Sequence, residues 1–589
     1  MKKEITDLRN EMEKNNIDMY LVVTDDYHGS EYVGDYFKER EYLSGFTGSA
    51  GRMVVTQEEA CLWTDGRYFI QAENQLEGSG ISLKKMGEPG VMTIEKYITK
   101  YIRSGKTLAF DGRTISASAG EKLEKQLKEK AANLIYDKDL VDKIWHNRPK
   151  MSSSRATLLD IKYAGESAGD KLLRLKDKIK EKDCDMYITT ALDEIAWLFN
   201  IRGNDVEYNP VILSYCVVSV DGRGVLFADR SKFDEITSEQ IKALDFDIED
   251  YDKVYEFIGK IKNKKVLLDK SKTNYMIVKN LSCEILDEKS PLMNMKAVKN
   301  CTEIKNERTA HIKDSVAFTK LIYYLKKNYN KQPITELDVV DKLEEFRRSD
   351  TNYIEPSFGT ISAFASNGAI VHYEPSKQTN KTIEAGQYLL VDAGGHYYEG
   401  TTDMTRTISF GSVSKIQKKH YTAVLKGNLR LSDAKFLYGM RGAGLDFAAR
   451  EALWKIGLDY KHGTGHGVGY LLNVHESPNS IRFRDSDDAV LEEGMITSNE
   501  PGVYIENEYG IRLENLILCK KAQKNEYGQF MEFETLTYVP FDRNSIEISM
   551  LNEEEKDILN QYNQSVYEKI AGYLDEEERE WLENETKKL

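Results

Sequence analysis

Apolar and polar positions along this chain predict its elements before any chemistry is considered. Residues 4–16 place Ile5, Leu8 and Met12 on one side of an amphipathic surface helix. Asp18 to Thr24 follows as a buried strand. In Trp63-Thr64-Asp65-Gly66-Arg67-Tyr68-Phe69 a strand ends, and Asp65 is placed to cap the next helix. Around residues 147–154 the pattern lapses into a polar stretch with one proline and three serines, which reads as a linker. The outline then repeats. Asp185-Met186-Tyr187-Ile188-Thr189-Thr190 mirrors Asp18-Met19-Tyr20-Leu21-Val22-Val23, and Trp197 to Gly203 mirrors Tyr42 to Gly48. Two such matches in one order imply a duplicated α/β domain. A helical period resumes near Thr302, with Ile304, Ile312, Val316, Thr319 and Ile322 spaced for one buried face. Residues 552–589 read as closing helices with a solvated acidic run at Asp575 to Glu578.

The pattern is α/β (α+β) throughout, in three domains: residues 1–150, 151–298 and 299–589. That agrees with length, since 589 residues exceed one core and imply about three or four domains. The net charge of −15 argues against nucleic acid as partner. No run is apolar enough for a signal peptide or a membrane span, so a cytoplasmic location is expected. Six scattered cysteines without a CxxC read as buried, reduced thiols.

Chemistry concentrates late in the chain. Neither N-terminal block gathers acids, bases or nucleophiles, and His28, Asp193 and Glu194 read there as surface or capping groups. Six of nine histidines fall between His372 and His475. An apolar run, Tyr388 to Val391, ends in Asp392, and a β-branched run carries Asp403. That predicts adjacent antiparallel strands joined through a Gly394-Gly395 bend, with two carboxylates over one small volume. Bare carboxylates there would repel, so a cation between them or a proton on one is required. His466 stands among glycines 463, 465, 467 and 469, which strip away side chains so that its imidazole can crowd a ligand. Glu500 lies at a strand end before Pro501-Gly502, and Glu514 enters a buried strand, where a charge costs several kcal/mol unless paired or metal-bound. Arg512, two residues earlier, orients Glu514, reaches a substrate carbonyl or makes a plain carboxylate bridge. His420, beside Lys418 and Lys419 on a helix read as exposed, and His396 in the glycine turn are taken as solvated or satisfied histidines. Four carboxylates and one imidazole suit two divalent metals better than one zinc.

The set Asp392, Asp403, His466, Glu500 and Glu514 resembles the five metal ligands of the pita-bread metallopeptidases, the family of methionine aminopeptidase, prolidase, aminopeptidase P and the metal-free creatinase. The stretches Asn367 to Tyr373 and His462 to Gly469, with His475-Glu476, are similar to its proline-directed branch. The two N-terminal blocks resemble the paired creatinase-type domains of the three-domain, cytosolic-type Xaa-Pro aminopeptidases. The resemblance implies that Asp403 and Glu514 bridge two metals, that Asp392 completes one shell, and that His466 and Glu500 complete the other. It implies attack of a bridging hydroxide on the bond before a proline at position two, with Glu500 accepting a proton. It makes His372, His462 and His475 candidates for carbonyl stabilisation, substrate placement and proton transfer, with the individual roles open, and Arg512 a candidate beside them for substrate binding. Oxygen-rich ligation favours manganese, with zinc or cobalt as alternatives. The family also implies a homodimer that acts on peptides. Prolidase, which cuts Xaa-Pro dipeptides, is the alternative, opposed by the second N-terminal domain. A non-catalytic peptide-binding protein on the same fold is more remote, because all five ligand positions are filled.

Overall fold

The computed structural model describes residues 2–483 and 489–589. Helix α1 (Lys3–Lys14) forms with Ile5, Leu8 and Met12 as its buried stripe. Strand β1 (Met19–Val23) is buried at every position, as a central strand covered on both faces must be. Around it stand β2 (Arg52–Thr56), β3 (Ala60–Thr64), β4 (Ser82–Lys85), β5 (Thr107–Ala109) and β6 (Asn133–Ile135), in the order β4-β3-β2-β1-β5-β6.

The repeat foreseen in the sequence is a repeat of topology. β7 (Met186–Thr189), β8 (Ser214–Ser219), β9 (Gly224–Ala228), β10 (Phe246–Glu249), β11 (Lys265–Leu268) and β12 (Glu284–Asp287) order themselves β10-β9-β8-β7-β11-β12, strand for strand the arrangement of the first sheet. Each central strand pairs antiparallel with the next strand and parallel with the fifth. The two mirrored aromatic stretches also agree in detail. Helix α2 (Glu39–Ser44) stops at Gly45 and α3 (Leu192–Phe199) at Asn200, both in the left-handed region that ends a helix.

Several side chains in this half differ from expectation. Asp65 does not cap the helix that begins at Phe69; its carboxylate is taken by the Arg67 backbone and guanidinium in a tight turn. His28 is buried rather than superficial, with Nδ1 at 2.9 Å from the Thr190 carbonyl and Nε2 at 2.6 Å from the Tyr251 hydroxyl. Glu194 is buried too, accepting from Tyr187 and Thr189. Among the cysteines, Cys301 is exposed.

Contacts divide the chain into two compact units: Met1–Ile161 with Glu166–Met293, and Lys162–Gly165 with Asn294–Leu589. The second opens on α4 (Cys301–Asn328), started by an Asn300/Glu303 capping box. Its apolar period is real in the second half, where Phe318, Leu321, Ile322 and Leu325 enter the core. In the first half the most buried face carries Glu303, Glu307, His311 and Asp314, and Ile304, Ile312 and Val316 are only partly buried. Helix α5 (Glu336–Arg347) packs beside it.

The strands that follow are β13 (Tyr353–Pro356), β14 (Ile361–Phe364), β15 (Gln387–Ala393), β16 (Gly395–Tyr397), β17 (Gly400–Thr401) and β18 (Met404–Phe410). β14, β15 and β18 form one antiparallel sheet, and β13, β16 and β17 another. β15 and β18 do run antiparallel, but no simple glycine bend joins them; the chain detours through the β16–β17 hairpin. Their buried aliphatics, among them Leu389, Val391 and Ile408, each contribute about 1.5–3 kcal/mol.

A six-stranded sheet supplies the rest. Its members are β19 (Phe436–Leu437), β20 (Gly465–Gly467), β21 (Glu476–Ile481), β22 (Ile496–Asn499), β25 (Asn515–Asn525) and β26 (Gly528–Thr535). They are ordered β19-β26-β25-β22-β20-β21, and the hairpin β23 (Gly502–Ile505) and β24 (Tyr509–Arg512) lies between β22 and β25 in the chain. Helix α6 (Lys415–Ser432) is not exposed at His420, which is buried against the Tyr509 hydroxyl at 2.9 Å. Helices α7 (Asp446–Trp454), α8 (Glu553–Ile570) and α9 (Glu576–Glu585) complete the unit; the acidic run is exposed at Asp575, Glu576 and Glu577, as expected, while Glu578 is buried and forms a capping box with Asp575.

Candidate metal centre

The register of β15 against β18 brings the first two acids together. Asp392 stands opposite Thr405, and Asp403 lies two residues before Thr405, so both carboxylates leave the same sheet face. Glu514 arrives from the other sheet, its backbone N–H donating to the Thr405 carbonyl at 3.0 Å. Buried Arg406 fixes the same stretch, with Nη1 at 2.6 Å from the Glu514 carbonyl. Glu500 follows β22, and its N–H donates to the Thr464 carbonyl beside the histidine strand.

These contacts converge on one small volume. Ligand atoms of Asp403, His466 and Glu514 all lie within 4.8 Å of one another. His466 Nε2 is 3.4 Å from Asp403 Oδ2 and 3.6 Å from Glu500 Oε1. The opposite ring nitrogen, Nδ1, lies 3.0 Å from the Gly467 carbonyl. A carbonyl only accepts, so Nδ1 carries the proton and the Nε2 lone pair faces the acids. That tautomer suits a metal ligand.

The surrounding oxygens point the same way. Asp392 Oδ1, Asp403 Oδ1 and Glu514 Oε1 are buried, each without a hydrogen-bond partner among the described residues. Three orphaned carboxylate oxygens in one place are expensive unless cations meet them. Burial, then the neighbouring Asp392 charge, pushes Asp403 well above the usual carboxylate range. Burial and the charges of Asp403, Asp392 and Glu500 do the same to Glu514, and burial raises Glu500 to about 7. Burial, aided by His475, lowers His466 to about 4. Four carboxylates and a neutral imidazole therefore fit two divalent cations, whose four positive charges balance the four negative ones.

Arg512 lies elsewhere than beside Glu514. Its Nη2 meets Asp392 Oδ2 at 2.5 Å, Nη1 meets the Tyr504 hydroxyl at 2.7 Å, and Nε meets Thr405 Oγ1 at 3.2 Å. Thr405 Oγ1 in turn donates to Glu514 Oε2 at 2.7 Å, so Arg512 reaches Glu514 only through that hydroxyl. Burial opposes the Arg512 charge, but Tyr504, Asp392 and Glu500 outweigh it and raise its pKa far above normal.

The three remaining histidines occupy different settings. His462 is half-buried, with Nδ1 at 2.7 Å from the Gly463 carbonyl, Nε2 at 2.8 Å from Tyr504 Oη, and Glu500 Oε2 at 3.8 Å from Nδ1. His475 meets His466 edge to face, ring centres 4.3 Å apart, and its neighbour Glu476 is clamped by buried Lys296 and Lys299. His372 is half-buried in the loop after the 3-10 turn Ala365–Ala369; Glu336 ties that loop down by accepting from Asn367 and Tyr373.

Tyr504 is the residue that sequence reasoning missed. It sits opposite Gly510 while Arg512 sits opposite Gly502, and a Cβ on Gly502 would stand 2.7 Å from the Tyr504 hydroxyl. Two glycines facing two large polar residues across a short hairpin were the available signal. The glycines around His466 also serve a purpose other than the one expected. A Cβ on Gly465 would strike the Ser498 carbonyl at 2.0 Å and one on Gly467 the Glu476 carbonyl at 2.3 Å, so they admit neighbouring backbone.

Known proteins are similar to this chain over nearly its whole length. The family model "Metallopeptidase family M24" matches residues 305–521, and "C-terminal region of peptidase_M24" matches 529–589. "Creatinase/Prolidase N-terminal domain" models match residues 5–144 and 147–303. Aminopeptidase P2 of Arabidopsis thaliana is 38% identical over 613 residues, covering 97% of this chain and 86% of its own. The crystal structure of X-prolyl aminopeptidase from Caenorhabditis elegans, described as a cytosolic enzyme with a di-nuclear active site, superposes with a TM-score of 0.94 at 35% identity. That match covers 100% of this chain and 99% of the other. An Xaa-Pro dipeptidase from Bacillus anthracis shares the fold over 64% of this chain and 99% of its own, with a TM-score of 0.51 and 24% identity.

Proposed function

The chain belongs to metallopeptidase family M24, and from that premise we propose that it is an Xaa-Pro aminopeptidase, hydrolysing the bond between an N-terminal residue and a proline at position two. The observation that carries this reading is the trio of orphaned oxygens on Asp392, Asp403 and Glu514, set beside the Nε2 lone pair of His466. With Glu500, these residues would hold two divalent ions. Such ions supply Lewis acidity, which acidifies water and polarises a carbonyl. Hard oxygen donors favour manganese, and zinc or cobalt are the alternatives that metal analysis would distinguish.

The side chains divide the remaining work. Glu500, steadied at Oε1 by the Ser498 hydroxyl at 3.3 Å, accepts the proton of the attacking water. Arg512 holds Asp392 in place, and Tyr504 ties Arg512 to His462. His372, His462 and His475 place the peptide and pass a proton to the departing proline nitrogen. That nitrogen belongs to a tertiary amide without an N–H, so cleavage requires such a donor.

A homodimer in the cytoplasm completes the reading. Support for the dimer is an exposed aromatic cluster, Phe447, Trp454 and Phe483, with ring centres 5.8 Å and 5.3 Å apart. Support for the location is the cytosolic Caenorhabditis elegans enzyme, together with free cysteines throughout.

The test compares an Xaa-Pro-Yaa tripeptide with the matching Xaa-Pro dipeptide in added manganese. Release of the first residue from the tripeptide, with the dipeptide largely intact, is expected. Cleavage of the dipeptide alone would make the protein a prolidase with a second N-terminal domain.

A further inference from the structure

The loop between the first two acids is held from outside the metal centre. Residues 394–402 leave β15 one residue after Asp392 and return just before Asp403, so the neck of this excursion sets the spacing of the two carboxylates. At the neck Gly394 backs onto Thr402 so closely that a Cβ would lie 1.9 Å from the Thr402 carbonyl oxygen. Ser357 staples both sides, its N–H donating to the Gly394 carbonyl at 3.1 Å and its hydroxyl to the Thr402 carbonyl at 2.9 Å.

The other clamp is Asp314, from the polar buried face of α4. Thr402 Oγ1 donates to Asp314 Oδ2 at 2.5 Å, and the Tyr397 hydroxyl donates to Oδ1 at 3.0 Å. Arg347 from α5 grips the same carboxylate through Nε at 2.7 Å and Nη2 at 3.0 Å. Both side chains of this ion pair are fully buried. The Thr402 hydroxyl also accepts from the Gly395 N–H at 2.8 Å. Its single proton goes to Asp314 and its lone pair to Gly395, so its rotamer is fixed from two directions.

A buried ion pair returns little net stability, because desolvation offsets its attraction. What this one provides is a fixed address for Thr402 and hence for the residue after it. We infer that Asp314, oriented by Arg347 and acting through Thr402 and Tyr397, is a positioning residue that sets Asp403 against Asp392 for metal binding. The inference rests on the proposed dinuclear peptidase reading. Asp314 touches neither substrate nor metal.

The experiment titrates metal-stripped full-length protein with Mn2+ by calorimetry, and follows Co2+ absorption as a report of ligand geometry. Wild type is compared with Thr402→Val, Asp314→Asn and Ser545→Ala. The last removes an equivalent buried hydroxyl–carboxylate bond, Ser545 to Asp542 at 2.7 Å, in the same unit but off the ligand loop. Thr402→Val and Asp314→Asn should weaken Mn2+ binding about 10–100-fold, as loss of outer-shell support does. They should also alter the Co2+ spectrum and lower kcat with KM for the tripeptide unchanged. Ser545→Ala should keep wild-type metal affinity at a comparable loss of thermal stability. A folded Thr402→Val protein with wild-type Mn2+ affinity and Co2+ spectrum overturns the inference, even if Asp314→Asn does not fold. An equal loss of affinity in Ser545→Ala overturns it too. Wild type that binds no pair of ions overturns the parent reading, and the inference with it, before any variant is compared.

Discussion

Loading metal into the stripped enzyme should release protons, and the number should fall as pH rises. Without metal, burial and mutual repulsion hold Asp403 and Glu514 well above the ordinary carboxylate range, and burial raises Glu500 to about 7. Ligation requires all three to be ionised, so every proton they carry must leave. Glu500 alone carries about 0.9 proton at pH 6, about 0.5 at pH 7 and about 0.1 at pH 8. Asp403 and Glu514 add to this. The same shift has a stability consequence. Its folded pKa lies above the ordinary 4.5, so Glu500 contributes stability that is fully present below pH 4.5 and lost as pH rises through 7. The interval from 4.5 to about 7, at about 1.4 kcal/mol per pH unit, makes that loss about 3 kcal/mol in the metal-free protein. Calorimetric Mn2+ titrations at pH 6, 7 and 8, each in two buffers of different ionisation enthalpy, count the protons. Repeating them with Glu500→Gln isolates the Glu500 share, and thermal melts of the stripped proteins follow the stability side. A proton count independent of pH, or one identical in Glu500→Gln, would refute the reasoning.

Two further outcomes follow from the same geometry. Arg512→Lys replaces a three-way fork on Asp392, Tyr504 and Thr405 with a point charge, so kcat/KM for the tripeptide should fall roughly 10–150-fold, the equivalent of about 1.5–3 kcal/mol for a lost charged hydrogen bond. Wild-type kinetics in a metal-replete Arg512→Lys protein would show that the fork does not matter. Trp454→Glu places a charge in the exposed aromatic cluster and, on the proposed dimer, should leave only monomer in light scattering; a mass equal to that of the wild type sinks the idea.

What the sequence determined by itself was local and periodic. The Ile5, Leu8, Met12 stripe and the uniformly apolar β1 became the elements that the pattern predicts, because apolar side chains go inward whatever their partners. The duplication was legible because equal sheets need equal runs of strand, and both sheets fold in one strand order. The acids and the imidazole stood out because charge at strand ends and inside apolar runs demands a reason. Only the tertiary structure decided where polar side chains go. His28, Glu194 and His420 look superficial in the sequence and are buried: partners distant in the chain, Thr190 and Tyr251 for His28 and Tyr509 for His420, satisfy the histidines, and the adjoining strand's Tyr187 and Thr189 satisfy Glu194. The charged inner face of α4 runs against its own hydrophobic period for the same reason: Arg347, Thr401 and Thr402 wait for Asp314 and Glu307. Arg512 pairs with Asp392 rather than with the glutamate two residues away, since its strand ends at Arg512 and the guanidinium faces the other sheet. Apolar burial needs only water to avoid, whereas a buried charge needs a specific partner at about 3 Å, and partners are assigned by the fold.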